Sequence, residues 1–498
     1  MRAELDTTNV DWQLEAGWFI NYYLADYEEA MALYKRALDS AIEQFGENNS
    51  DVATSYNNIG AIYYSQGNYD QALEYYNKAL EIYLSVFGDR NPDVATIYNN
   101  IGAVYDSQGN YSKALEYYNK ALEIRLAVFR DGHPDVALSY NNIGAVYSSL
   151  GNYDLALEYH NKALEIYLSV FGDGHPDVAR SYNNISYVYA SQGNYSKALE
   201  YYNKALEIYL SVFGDGHPDV ARSYNNIGAV YDSQGNYSQA LEYYNKALEI
   251  YLSAFGDRHP NVARSYNNIG GIYSSLGNYD QALEYHNKAL EIYLSVFGDG
   301  HPNVASSYNY IGYVYASQGN YSKALDYYNK ALEIYSSVFG DRHPDVALSY
   351  NNIGAVYDNQ GNYSQALEYY NKALEIYLSA FGDRHPDVAR SYINISAVYD
   401  SQGKHDLALE YYNKALEIYY LLEFEDWNFE NTTDLFDKND ELIDKPKDIV
   451  VMKDGVITKH HLEDTIGIQL GIKFVSKEEK QRITEAYHKW KEEQGNDD

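Results

Sequence analysis

The sequence predicts an all-α chain: a right-handed superhelical α-solenoid of helix-turn-helix repeats, followed by a small C-terminal α+β tail. Three observations predict it. Pro92, Pro134, Pro176, Pro218, Pro260, Pro302, Pro344 and Pro386 stand 42 residues apart, with Ser50 in the slot before the first of them. Within each interval apolar residues recur with the 3.6-residue period of an amphipathic helix, twice and in different phase. A Gly-Asn or similar pair separates the two helical stretches. The only other proline, Pro446, lies beyond the array.

The interval from Pro92 to His133 serves for all. Its first helix carries Val94, Tyr98, Ile101, Val104 and Tyr105 on one stripe. Pro92 suits the first turn, where a missing N–H costs nothing, and Asp93 complements the positive end of the helix dipole. Gly109 supplies the left-handed residue that ends this helix, and Asn110 can cap the next through its side-chain oxygen. The second helix packs Tyr111, Ala114, Leu115, Tyr118, Ala121, Leu122 and Leu126, with Glu116 and Lys120 paired outward. Gly102, Ala114 and Ala121 are small where the helices approach. One such hairpin cannot bury its apolar faces alone, so it stacks on its neighbours, and the expected product is quasi-one-dimensional, each unit touching only those beside it.

The pattern Tyr98, Ile101-Gly102, Tyr105, Gly109, Tyr111, Ala114, Tyr118 and Ala121 resembles the tetratricopeptide repeat signature. The longer second helix and the Gly-Asp-x-His-Pro-Asp connector look like the 42-residue variant of kinesin light chains. The resemblance covers about residues 27 to 420, with nine full copies. Kinesin light chains carry a heptad coiled coil before their repeats; this chain enters the array almost at once, so transport on kinesin is not implied.

The expected organisation is a degenerate N-terminal capping hairpin over residues 1–48, nine tandem repeats over 49–422, and a tail over 423–498. Trp12, Trp18, Trp427 and Trp490 all lie outside the repeated blocks, as specialised ends would require. A longer period is also visible: Tyr187 and Ala190 recur as Tyr313 and Ala316, and His160 as His286, so blocks of three repeats were duplicated together. In the tail, 448–452 and 456–460 read as a β-hairpin around Lys453-Asp454-Gly455. The stretch 437–447 reads as a linker, and Ser476 with Glu479 as a capping box opening a helix to about Glu493.

Composition bounds the function. The formal charge of −34 argues against nucleic acid and anionic membranes, both of which demand clustered Lys and Arg, and favours a basic or neutral protein or peptide. The absence of cysteine excludes disulfides, thiolate catalysis and zinc-thiolate or iron–sulfur sites. No signal peptide or membrane span is evident, so a cytoplasmic location is expected. No phosphate-cradling loop or nucleophile elbow occurs, and neither enzyme activity nor a cofactor is expected. Sixty tyrosines, against 14 phenylalanines, suit half-buried helix seams where a hydroxyl reaches water or a partner.

In the architecture that the resemblance implies, first helices line the concave surface, and the residue two before the repeat glycine points into it. That residue is Asn58, Asn100, Asn142, Asn184, Asn226, Asn268, Asn352 and Asn394, with Tyr310 as the exception. Asparagine costs a helix interior roughly 0.6 kcal/mol relative to alanine, so something offsets it. One reading is an amide ladder that engages the backbone of an extended ligand, as asparagines there do in peptide-binding members; the other is bonding to neighbouring helices. Arg180, Arg222, Arg264 and Arg390 near the start of the first helix, and Asp106, Asp232, Asp358 and Asp400 near its end, would sort charges on a ligand or form exposed ion pairs.

Seven histidines precede the repeat prolines: His133, His175, His217, His259, His301, His343 and His385. They stand a repeat apart and read as helix N-terminal residues, with no metal site. His160 and His286 replace a core tyrosine and read as packing. His460, His461, Glu463 and Asp464 fit no metal motif. The leading functional reading is a protein- or peptide-binding scaffold holding an extended ligand in its groove; the alternatives are a self-assembling spacer, or a regulatory arm for an activity in the tail.

Overall fold

The computed structural model describes residues 9–424 together with 449–453 and 456–460. The chain divides into two units, Met1–Leu416 and Glu417–Asp498.

The first unit opens with a helix Val10–Phe19, a π-helical turn Ile20–Leu24 and a helix Tyr27–Phe45. Trp18 in this leading hairpin is 56% exposed and stacks on Tyr22 at 5.5 Å. Nine hairpins follow among the described residues. Their first helices are Ser50–Ser65, Pro92–Ser107, Pro134–Ser149, Pro176–Ser191, Pro218–Ser233, Pro260–Ser275, Pro302–Ser317, Pro344–Asn359 and Pro386–Ser401. Their second helices are Tyr69–Phe87, Tyr111–Phe129, Tyr153–Phe171, Tyr195–Phe213, Tyr237–Phe255, Tyr279–Phe297, Tyr321–Phe339, Tyr363–Phe381 and His405–Phe424.

Local chemistry sets these limits. Each repeat proline takes the first helical position, and the residue before it accepts a hydrogen bond from the N–H two residues on: Asn91 Oδ1 from Asp93 at 2.6 Å, His133 Nδ1 from Asp135 at 3.2 Å. Gly109, at φ +66°, turns the chain so that its N–H meets Asp106 O and the Asn110 N–H meets Tyr105 O. Asn110 Oδ1 then accepts from Lys113 N at 3.3 Å and caps the second helix. The second helices end on a residue at φ near +80°, which is glycine in most copies; at position 130 it is arginine, at φ 67° and ψ 174°.

Val94, Ile101, Val104, Ala114, Tyr118 and Ala121 are buried as expected. Gly102 lets the helices approach closely, since a Cβ there would lie 2.8 Å from the Tyr118 ring; where Ser186 and Ser396 take this position, the neighbouring helix must give way slightly. In two hairpins a histidine replaces that tyrosine. His160 and His286 are almost fully buried, with Nδ1 2.9 Å from Asn141 Oδ1 and Asn267 Oδ1. Where tyrosine remains, as at Tyr202 and Tyr244, both amide atoms of the corresponding Asn183 and Asn225 are buried without a partner. Burial holds the His160 and His286 imidazoles down at about 4, and both are neutral at physiological pH.

The array is not one-dimensional, which corrects the expectation that each unit meets only its neighbours. The hairpins coil so that connectors late in the chain return against turns early in it. His301 Nε2 donates to Ser65 O at 3.1 Å, His343 Nε2 to Ser107 O at 3.1 Å and His385 Nε2 to Ser149 O at 3.2 Å, each across 236 residues. Aromatic pairs run alongside: Tyr23 with Phe255, Tyr27 with Phe297, Tyr69 with Phe339 and Tyr111 with Phe381, at centroid distances of 6.2, 5.5, 5.6 and 5.8 Å. This turn-on-turn seam joins hairpins about six apart. It depends on the small rotation between successive hairpins, summed over a turn, which no local pattern encodes.

The seam histidines have a defined tautomer. Nδ1 accepts from the helix N–H and Nε2–H donates to the carbonyl, which only the neutral ring protonated at Nε2 can do. Burial accordingly holds His301 and His343 down at about 4, and lowers His385 in the same direction.

In the second unit, Ile449–Lys453 pairs antiparallel with Val456–His460, Ile449 opposite His460 and Lys453 opposite Val456. The first strand begins one residue later than expected. The linker at 437–447, the helix from Ser476, and His461, Glu463 and Asp464 lie outside the described residues.

Candidate functional site: the inner helix face

Consecutive first helices approach one another directly, for example Pro134–Ser149 with Pro176–Ser191, whereas each second helix packs on the first helices beside it. The first helices therefore run at the smaller radius and line the inner surface. The asparagines singled out by sequence all sit on them, half-buried.

Their bonding divides along the array. Asn100 Nδ2 donates to Asn57 Oδ1 of the preceding hairpin at 2.8 Å, and Asn142 Nδ2 donates to Asn99 Oδ1. Asn58 accepts a long bond of 3.4 Å from Asn57. Asn100 and Asn142 thus tie neighbouring first helices together, whereas the Asn58 bond stays within its own helix. Asn184, Asn226, Asn268, Asn352 and Asn394 make no such bond among the described residues. Their half-buried amides leave donors and acceptors open on the inner face. The companion residues Asn57 and Asn99 were missed by sequence reasoning; the Asn-Asn doublet in seven of the nine first helices is the signal that could have found them.

One tyrosine interrupts the polar row and two more flank it. Tyr310 takes the ladder position in its hairpin and stacks on His286, centroids 5.2 Å apart and planes at 4°. Tyr187 and Tyr313, 60% and 56% exposed, project from the same helices one turn on. A concavity of about 620 Å³ between Pro302–Ser317 and Pro344–Asn359 is lined by Tyr313, Ser317, Asn352 and Asn359, among others, and so contains one open ladder amide beside an exposed ring.

The charged candidates are more committed. Arg180, Arg222 and Arg390 each reach the aspartate three residues before them at 2.9 Å, and Arg180 and Arg222 also donate to the hydroxyls of Tyr167 and Tyr209. Arg264 has Asn261 where the others have aspartate, and only a 3.5 Å contact to Tyr251. Among the described residues it is the arginine of this set whose charge no carboxylate offsets. Near the other end of the helices, Asp106 is pushed up to about 6 by burial, and Asp232 and Asp358 upward in the same way. Asp400 lies 2.7 Å from His405. No group of three or more His, Asp or Glu converges on a metal position among the described residues, and no described helix is long and apolar enough to cross a membrane.

The tetratricopeptide repeat model matches over residues 19–85, 51–127, 135–211, 188–253, 219–295, 261–337, 303–379 and 345–420. No curated protein matches the chain. Among solved structures it is similar to a Rap protein crystallised with Competence and Sporulation Factor, at 16% identity and TM-score 0.52, over 74% of this chain and 98% of that one. It is also similar to BtubC (BKLC) from P. vanneervenii, at 23% identity and TM-score 0.36, over 49% and 91%. A third likeness is to the nearly identical TPR-like repeats of a Podosopora anserina kinesin-light-chain candidate, at 16% and 0.35, over 43% and 99%. At these identities the structural likenesses speak for the fold alone. The matches to the repeat model run from residue 19 to residue 420, and the chain belongs to the tetratricopeptide repeat family.

Proposed function

We propose that the chain is a binding scaffold, not an enzyme, and that its inner face holds an extended peptide of basic or neutral character. The observation that carries this reading is the row of open amides at Asn184, Asn226, Asn268, Asn352 and Asn394. A primary amide presents two donors and an acceptor, so such a row can engage successive peptide N–H and C=O groups without reading side chains. Tyr187, Tyr310 and Tyr313 would add apolar surface with a polar tip, and Arg264 a site for an acidic group within a ligand otherwise favoured by the net charge of −34. The Rap protein that shares the fold was crystallised with a bound factor, which supports a ligand-holding role by analogy. We further read residues 1–48 as a leading cap, 49–422 as the nine repeats and 423–498 as a small α+β tail, in a protein of the cytoplasm.

The test is a selection from a displayed library of random peptides against the chain, run in parallel on the variant Asn184→Ala, Asn226→Ala, Asn268→Ala. Helix content should be unchanged, since alanine favours the helix. Peptides enriched by the native chain and lost by the variant support the ladder. Peptides retained equally by both remove it, and leave early-copy bonding such as Asn100 to Asn57 as the explanation of the asparagines.

A further inference from the structure

We propose that copies of this chain stack head to tail, the free connectors of one molecule docking on the free hairpin turns of another through the contact that the seam makes within each molecule. The seam has two complementary halves. One is the connector, a phenylalanine ending a second helix, stacked on the His that precedes the next proline: Phe339 and His343 lie 3.9 Å apart between centroids, Phe381 and His385 3.8 Å. The other is the turn inside a hairpin, with its glycine, its last first-helix carbonyl and the tyrosine that follows.

Because the seam joins hairpins about six apart, each molecule uses only some copies of each half. His343 and His385 side chains are 9% and 10% exposed, covered by the turns at Ser107 and Ser149. The same side chains at His133, His175 and His217, in the same Phe-His stack at 4.1 to 4.2 Å, are 38%, 39% and 32% exposed. Phe171 and Phe213 stand exposed beside them, whereas Phe255, Phe297, Phe339 and Phe381 are half-buried in the seam.

The turns show the converse. At Gly109 an added Cβ would meet Pro344 at 2.9 Å, and at Gly67 and Gly151 it would meet Pro302 and His385. At Gly193, Gly235, Gly277, Gly319, Gly361 and Gly403 it would meet nothing within 4 Å among the described residues. The sequences of the free halves repeat those of the occupied halves almost letter for letter, so a second copy brings what the first leaves open. The two halves are different surfaces, which makes the contact heterologous: it propagates along the superhelix axis and does not close into a dimer. A charge of −34 on each chain opposes the encounter, so association strengthens with salt.

Sedimentation equilibrium of the full chain at rising concentration and two salt levels tests this. The expected result is an average mass that climbs severalfold without a plateau at two chains, and climbs more steeply in high salt. Two variants block opposite halves. Gly277→Asn with Gly319→Asn interrupts every run of three consecutive free turns; asparagine tolerates the left-handed backbone there, and no neighbour crowds it. His133→Asn, His175→Asn and His217→Asn with Phe171→Glu and Phe213→Glu blocks the connectors, keeping the helix cap that Asn91 already provides. Each variant alone should stay at one chain, and their mixture should stop at two. A native chain of constant one-chain mass overturns the proposal, as does a closed two-chain plateau, or growth that persists in the turn variant when its circular dichroism and melting match the native chain.

Discussion

Replacing His301, His343 and His385 by asparagine isolates what the seam contributes. The substitution keeps the helix cap, because Asn91 Oδ1 accepts from Asp93 N at 2.6 Å in a connector that has no histidine. It removes the Nε2–H donor to Ser65 O, Ser107 O and Ser149 O, bonds of 3.1 to 3.2 Å. A net hydrogen bond is worth about 1 kcal/mol, so three cost about 3 kcal/mol, and more if the carbonyls stay dry after losing their partner. The same change at His133, His175 and His217 is the control. There too the cap is kept and a Phe-His stack near 4 Å is lost, but no second turn lies against the ring. The difference between the two triple variants is therefore the seam itself, with capping and stacking subtracted. Guanidinium unfolding followed by tyrosine fluorescence, on dilute chain, reads stability; small-angle scattering reads whether the coil lengthens as its turns part. The seam triple should melt earlier than the control triple and scatter as a longer particle. Equal midpoints and equal scattering curves would show that the 236-residue contacts carry no free energy, and the reasoning would fail.

Acid should act on the same contacts. His259, His301 and His343 are held down at about 4 by burial, against about 6.5 in an open seam or unfolded chain. The stability they contribute is complete above about 6.5 and is lost as pH falls toward 4, by about 2 kcal/mol for each histidine at pH 5. Asp106, pushed up to about 6, works against this by taking up a proton in the folded state below pH 6, and offsets part of the loss; unfolding midpoints at pH 7 and 5 should fall more for the native chain than for the seam triple. Arg125→Tyr is expected to be neutral or stabilising by about 1 kcal/mol in a melting experiment. Arg125 is 4% exposed and bonded to Ser139 Oγ at 2.7 Å, in the slot that Tyr83, Tyr167 and Tyr209 fill elsewhere. Arg130→Gly should raise the melting midpoint, since it relieves a backbone of φ 67° and ψ 174° that only glycine adopts freely, worth about 1 to 3 kcal/mol.

The hairpins were legible because each signal acts over a few residues. Pro92 with Asp93, Gly109 with Asn110, and the apolar stripes need only their own repeat to specify a helix, its ends and its buried side. The role of His133 as a helix cap was legible for the same reason. Its second role in the copies at His301, His343 and His385 was not, because the partner carbonyl belongs to a turn of the superhelix that exists only after about six hairpins have been stacked. A clue was present nonetheless. Asn91 shows that asparagine suffices for the cap, so a histidine placed four residues after a phenylalanine in seven connectors is chemically more than the cap requires. At the candidate site, sequence put Asn184 and Asn226 on the same helix position as Asn100 and Asn142 but did not separate them from these two, which bond to the preceding hairpin. That distinction depends on side-chain rotamers, not on spacing.

The seam changes how stability grows with repeat number. In a one-dimensional array each added hairpin contributes its own folding energy and one interface, so stability rises in equal steps. Here a hairpin beyond about the sixth also sets a connector against an earlier turn, as His343 sets Pro344 against Gly109, and contributes a second interface between parts of the chain that are not neighbours. Early and late hairpins are thereby coupled directly: Ser107 cannot be freed without uncovering His343. Fraying from one end must break seam contacts as well as stacking. Because the copies are nearly identical, duplication of a three-repeat block creates three more such contacts at once, with every hydrogen-bonding partner already in register.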